Sequence, residues 1–171
     1  MIIRKAIPKD MDTLMPIFDE ARGTIAKLGI NQWQDGYPSY DVIAEDIGKN
    51  RSYAVEQDGT ICGTFVLVDD GEILYDTIYD GHWLTGNESQ DYVAIHRVAI
   101  SVAKRGSGIS TAMINYAADY AKGLGRASLR IDTHEGNVVM RRMLEKHGFV
   151  HCGTIHLANG APRVAYEKML K

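Results

Sequence analysis

Apolar residues along this chain fall into two periods, and the switches between them mark the elements. Ile2 to Ile7 is short, apolar-rich and closed by Pro8, the pattern of a first strand. From Met11 to about Leu28, Leu14, Ile17, Phe18, Ala21, Ile25 and Leu28 recur at helical spacing, with Asp10 placed to cap the start. Pro16 and Gly23 interrupt that stripe, so a kink or break is expected near Gly23. A polar, aromatic connector, Gly29 to Pro38, leads to a short helix over Tyr40 to Ile47, stopped by Gly48. Ser52 to Gln57 and Thr60 to Val68 flank Asp58-Gly59, a two-residue hairpin signal. The stretch from Asp69 to Gln90 is irregular, punctuated by Asp70-Gly71, Asp80-Gly81 and Thr85-Gly86-Asn87. It is expected to hold a short helical or extended piece and to wall a cleft.

The second half is more regular. Tyr92 to Ser101 reads as a strand and Ile109 to Lys122 as a helix, ended by Gly123 and Gly125, with Met113, Ile114, Ala117, Ala118 and Ala121 as its buried stripe. Ala127 to Thr133 is a strand parallel to Tyr92–Ser101, because a helical crossover returns the chain in the same direction. A helix from Asn137 to Lys146 closes at Gly148, and Phe149 to His156 with Arg163 to Leu170 form a hairpin across Asn159-Gly160. This order predicts an α/β (α+β) fold: one mixed sheet of about six to seven strands flanked by about four helices.

Composition narrows the function. A chain of 171 residues, 45% apolar and 24% charged, suits one globular domain over residues 1–171 with a sizeable core. A net charge of −3 provides no global basic field, so nucleic acid is not an expected partner and any phosphate binding must be local. No apolar run reaches the length of a membrane span, and the first residues lack the apolar core of a signal peptide. Cys62 and Cys152 are far apart, without metal-ligand spacing, and the histidines show none either. The expectation is a reduced, cytoplasmic protein without a metal.

The candidate chemistry sits between Ile95 and Ser110, where an apolar strand runs into a loop with Gly106 and Gly108 and then into a helix. Glycines allow successive amides to approach a ligand, and the helix start adds unpartnered N–H groups and a positive dipole end. Lys104 and Arg105 add charge at the rim, so the stretch reads as an anion cradle. Nothing in it fits the G-x-x-x-x-G-K-[ST] run of a nucleoside-triphosphate loop, and Thr111 stands where a dinucleotide fingerprint needs its third glycine.

Arg105-Gly106-Ser107-Gly108-Ile109-Ser110 resembles the R/Q-x-x-G-x-G/A loop of the GNAT superfamily of N-acetyltransferases, departing at Ser110. Asn137 to Phe149 resembles the N-x-x-A-x-x-F/L-Y-E-K-x-G-F segment of the same superfamily, about thirty residues downstream with one helix and one strand between. The resemblance implies acetyl-CoA as acyl donor, a V-shaped opening between the fourth and fifth strands, and direct transfer to a primary amine of a small molecule, amino acid or peptide end. It implies donor contacts from Val98, Ala99 and Ile100, from Arg105, Gly106, Ser107, Gly108, Ile109 and Ser110, and from Asn137. Arg141 reads either as a donor contact or as part of a solvated helix face. Leu144 occupies the slot where many members hold a proton-donating tyrosine, which leaves Tyr166, Tyr116 or water for that task, and leaves open a non-catalytic acyl-CoA-binding module. His96 is the first candidate for general base and is equally readable as a structural histidine; His134 and Glu135, at the end of the next strand, are the second. Trp33, Tyr37, Tyr75 and Trp83 are candidate acceptor contacts or packing residues. Dimers are frequent among look-alike proteins, so a homodimer is carried as an expectation.

Overall fold

At Asp58-Gly59 both residues are left-handed, with φ of 54° and 75°, the turn geometry that matches the twist of a hairpin. It joins β2 (Ser52–Gln57) to β3 (Thr60–Val68), and β1 (Ile2–Lys5) pairs antiparallel with the other side of β2, Ile3 opposite Val55. The structure, a computed structural model, describes residues 1–171. It continues with α1 (Met11–Ala26) and α2 (Tyr40–Gly48) before β2, and then β4 (Tyr92–Ile100), α3 (Ile109–Gly123), β5 (Ser128–Thr133), α4 (Val138–Lys146), β6 (Val150–His156) and β7 (Pro162–Met169). The seven strands form one open mixed sheet in the order β1-β2-β3-β4-β5-β7-β6, with four helices, which is the α/β class read from the sequence. β4 and β5 run parallel, whereas β7 pairs antiparallel with both β5 and β6.

The chain forms two compact units, Met1–Leu67 with Arg97–Met113, and Val68–His96 with Ile114–Lys171. In the first, Leu14, Ile17, Phe18 and Ala21 of α1 pack with Ile43, Ile47, Ala54 and Ala99 in one buried cluster. That burial carries α1 unbroken through Pro16 and Gly23, because tertiary packing of an apolar stripe outweighs one missing hydrogen bond and one glycine. Asp10 does not cap α1 with its side chain. Its carboxylate accepts instead from the Ile7 amide at 2.8 Å and from Arg4 at 2.8 and 3.0 Å. Ser39 caps α2, its hydroxyl accepting from the Val42 amide at 3.3 Å.

In the second unit the core lies among Leu129, Ile131, Leu144, Phe149, Ile155 and Ala165, all buried. The irregular stretch before β4 contains a 3-10 turn over Ile73–Tyr75 and also an extended bridge in which Tyr79 and Thr154 exchange backbone hydrogen bonds at 2.8 Å, where a single helical or extended piece is expected from the sequence. Beneath it a fully buried ion pair joins Arg130 to Glu167 at 3.0 Å. The Arg130 guanidinium lies between the rings of Trp83 and Tyr92, 4.2 and 4.0 Å from their centroids.

Candidate active site

The sequence Gly106-Ser107-Gly108 makes the bend between β4 and α3 because both glycines are left-handed, with φ of 78° and 84°. A Cβ at either position would meet nothing within 4 Å. The glycines are therefore required by backbone conformation and not by a close approach of another atom, and the space a side chain would take is open. A 3-10 turn over Val102–Lys104 precedes them, and Ser107 closes the loop by donating through its hydroxyl to the Lys104 carbonyl at 2.5 Å. α1 anchors the same loop: Glu20 accepts from the Val102 amide at 2.7 Å, and Arg105 donates to the Thr24 hydroxyl at 2.8 Å. Gly108 gives its carbonyl to the Ala112 amide at 3.0 Å, so Ile109 and Ser110 stand in the first turn of α3, where amides have no acceptor within the helix. Lys104 lies 3.8 Å from Asp58. An open bend of amides at a helix start beside two cations suits a diphosphate.

Upstream, β4 pairs with β5 only from Tyr92 to Ala94, opposite Ser128 to Arg130, although both strands continue. Arg97 then takes φ of 50°, a left-handed residue inside a strand. Its guanidinium donates to both Asp46 oxygens at 2.6 and 2.7 Å and to the Tyr37 hydroxyl at 2.7 Å. Burial works against its charge, but Tyr37 and Asp46 outweigh it and hold the Arg97 pKa above its ordinary value. Val98, Ala99 and Ile100 follow this bend. Tyr37 is brought beside Trp33, ring centroids 6.3 Å apart, and Trp33 packs edge-on against Phe18.

His96 belongs to the second unit and has a defined partner there. Its Nε2 lies 2.9 Å from Glu72 Oε2, at ion-pair distance though out of line for an ideal hydrogen bond. The other Glu72 oxygen accepts from the Leu74 amide at 3.2 Å, which fixes the carboxylate to the Ile73–Tyr75 turn. The Tyr75 ring sits 5.9 Å from His96, and its hydroxyl donates to Asp132 at 2.7 Å. Burial first, and then the Asp132 charge, raise the Tyr75 pKa well above its ordinary value, so it remains a neutral phenol. Trp83 donates its indole N–H to the Tyr75 carbonyl at 2.9 Å. Tyr75 and Trp83 are thus both buried and joined to each other, with their polar ends engaged.

Asn137 caps α4, accepting from the Met140 amide at 3.2 Å. Arg141, one turn on, donates to the Tyr166 hydroxyl and to the Glu135 carbonyl, each at 3.0 Å, while Tyr166 donates to Glu145 at 3.3 Å. The Tyr166 hydroxyl raises the Arg141 pKa. Three of the sequence candidates, Arg141, Tyr166 and Glu135, are therefore one linked group. His134 stands apart, its Nδ1 accepting from the Gly136 amide at 2.9 Å, with its pKa lowered by desolvation and by Arg163. Leu144 is fully buried.

Glu72 and Asp46 are partners that sequence reasoning did not assign, whereas Asp132, at the end of β5, reads from the sequence as a residue that orients a neighbour, and Tyr75 is bonded to it. Glu72 lies in a stretch without periodicity, and Asp46 is one acidic residue among several on α2, so neither carries a local signal. No group of three or more His, Cys, Asp or Glu is arranged to hold a metal ion, and no helix is long and apolar enough to cross a membrane.

Comparison with known proteins gives a consistent result. The crystal structure of a GNAT-family acetyltransferase from Streptococcus agalactiae 2603 is 37% identical, with 99% of this chain and 95% of that chain covered and a TM-score of 0.88. An N-acetyltransferase of Methanocaldococcus jannaschii, described as uncharacterized, is 36% identical over 64 residues, which is 37% of this chain and only 28% of that relative's length. A putative acetyltransferase from Salmonella typhimurium, solved with its cofactor acetyl-CoA, shares the fold at 16% identity and a TM-score of 0.69, over 100% of this chain and 94% of that one. The model of the acetyltransferase (GNAT) family matches residues 14–149. That match runs from α1 through the glycine bend to the end of the Asn137–Phe149 segment, most of the chain, and the chain therefore belongs to the acetyltransferase (GNAT) family of acyltransferases.

Proposed function

We propose that this protein, as one N-acetyltransferase domain over residues 1–171, transfers the acetyl group of acetyl-CoA to a primary amine of a small molecule, amino acid or peptide end. The observation that carries the reading is the open, left-handed bend at Gly106 and Gly108, opening directly into α3. Amides from Gly106 to Ser110, with Lys104 and Arg105 nearby, would hold the diphosphate. Amides of Val98, Ala99 and Ile100 would hold the pantetheine arm, with Asn137 as a further polar partner. Arg141, bonded to Tyr166 and to the Glu135 carbonyl, is a further candidate contact for the donor. When bound, acetyl-CoA supplies an activated acyl group as a thioester. His96, held by Glu72 and lined by Tyr75, takes the proton that the acceptor amine must lose. His134 and Glu135 are the alternative base. Tyr166 or water returns a proton to the departing thiolate. Trp33, Tyr37, Tyr75 and Trp83 shape the acceptor side, the two buried ones as its support. Two unpaired, buried thiols suit the cytoplasm.

The test is release of free thiol from acetyl-CoA across a panel of primary amines. Release should require an acceptor, and His96→Ala should lower kcat about 100-fold or more. Gly108→Val should abolish donor binding. Absence of any acyl-CoA affinity in calorimetry would refute the reading. Leu144 in the tyrosine slot favours a second reading, an acyl-CoA-binding module without turnover, which any productive amine eliminates.

A further inference from the structure

Arg97 is the one residue with a side chain that takes a left-handed φ inside a strand of this protein. Such a conformation is strained for arginine, whereas glycine would adopt it freely. It persists here because the side chain is anchored from outside the strand. Both Asp46 oxygens accept from it in a two-pronged pair, Asp46 coming from α2, and the Tyr37 hydroxyl accepts from Nη1, Tyr37 coming from the connector before α2. The side chains of Arg97 and Asp46 are 15% and 8% exposed. With its charge matched and Nε, Nη1 and Nη2 all donating, this guanidinium is poorly suited to bind a phosphate or carboxylate ligand itself. What it does control is the direction of the backbone, because a left-handed residue inside a strand turns the groups that follow it.

We propose that Asp46, assisted by Tyr37, is a positioning residue for the acyl donor: it holds Arg97 in the bend and so aims the amides of Val98 to Ile100. The inference rests on the reading that those amides bind the donor. It separates from a plain structural role of the ion pair by a simple logic. If Asp46 acts by stabilising a strained arginine, its removal should cease to matter once the strain is gone.

The experiment is a double-mutant cycle with Asp46→Asn, Arg97→Gly and the two combined, measuring acetyl-CoA affinity by calorimetry below the melting temperature of each variant. Asp46→Asn should weaken binding about tenfold. Arg97→Gly should bind within about twofold of the parent, since glycine takes the bend unaided. In the Arg97→Gly background, Asp46→Asn should have no further effect. Tyr37→Phe, which removes one hydroxyl from a half-exposed ring, should weaken binding about threefold and supplies the comparison if Asp46→Asn does not fold. The pH–rate profile should remain that of the parent in all of them, and in the variants of Asp46 and Arg97 the loss should be confined to the donor KM. Unchanged affinity in Asp46→Asn, or the same tenfold loss with glycine at position 97, overturns the proposal and leaves the acetyltransferase reading intact. Should the parent itself bind no acyl-CoA, that reading falls and the donor role with it. Hydrogen exchange over residues 98–101 then decides what remains, the hold on the bend. Faster exchange in Asp46→Asn, but not in the Arg97→Gly background, supports it, and equal exchange in all variants overturns it.

Discussion

Glu167→Gln removes one charge from a pair in which neither side chain is exposed. Glu167 Oε1 accepts from Arg130 Nε at 3.0 Å and from the Ser128 and Thr85 hydroxyls, each at 2.5 Å; Oε2 accepts from the Leu84 amide and, at 3.4 Å, from the Thr85 amide. A glutamine presents only one oxygen. Turned one way, its NH₂ meets the Leu84 N–H; turned the other way, it meets the Arg130 N–H. Either orientation leaves a donor facing a donor and Arg130 as a buried charge with no counter-charge, a change that costs about 3–5 kcal/mol. At about 2–4 °C per kcal/mol for a domain of this size, the melting temperature should fall by roughly 6–20 °C. Ser128→Ala, which removes one hydroxyl from the same carboxylate, should cost only about 1 kcal/mol. Thermal and urea unfolding at pH 7 measure both. Acid titration gives a second check. Burial pushes the Glu167 carboxyl up, but Ser128, Thr85 and Arg130 together hold it below its ordinary 4.5. Its contribution is therefore complete above that pH and is lost as pH falls below it. The glutamine variant should lose less stability between neutral and acid pH than the parent. A shift under about 1 kcal/mol at pH 7 would refute the account of the pair as buried and charged.

Two further outcomes follow from burial. Gly81→Ala would place a Cβ 1.9 Å from the Cys152 carbonyl oxygen. It should peel the 79–82 segment from β6, losing three backbone hydrogen bonds (the reciprocal pair between Tyr79 and Thr154, and His82 to Cys152), worth about 3 kcal/mol together. Gly23→Ala, on an exposed helical face with nothing near the new carbon, should stabilise by up to about 1 kcal/mol. If unfolding curves show the same sign for both, the clash argument fails. Burial also pushes the Cys152 thiol up to about 11 and raises Cys62, leaving about one thousandth of Cys152 as thiolate at pH 8. A thiol reagent should then react with neither cysteine until denaturant is added, and a rapid native titration would refute it. Because the folded Cys152 keeps its proton more tightly than the unfolded one, stability should decline as pH rises from 9.0 towards about 11.

What the chain determined by itself was everything governed by neighbours a few residues apart. The Asp58-Gly59 hairpin, the Asn137 cap, the buried stripe of α1 and the glycine bend that opens into α3 follow from turn chemistry and periodicity, and all are in the structure. The same local rules predicted a kink or break near Gly23 and a cap from Asp10. No break occurs and the Asp10 side chain does not cap, because burial of the α1 stripe and the charge of Arg4 act from outside the local window. Only the tertiary structure decided that Arg97 bends β4 under the hold of Asp46, that Glu72 faces His96, and that Arg130 is matched by Glu167. These partners stand 51, 24 and 37 residues apart in sequence. An ion pair has no period, and several acidic residues of this chain could have supplied each carboxylate. Which one does so depends on the register of strands that have first to find one another.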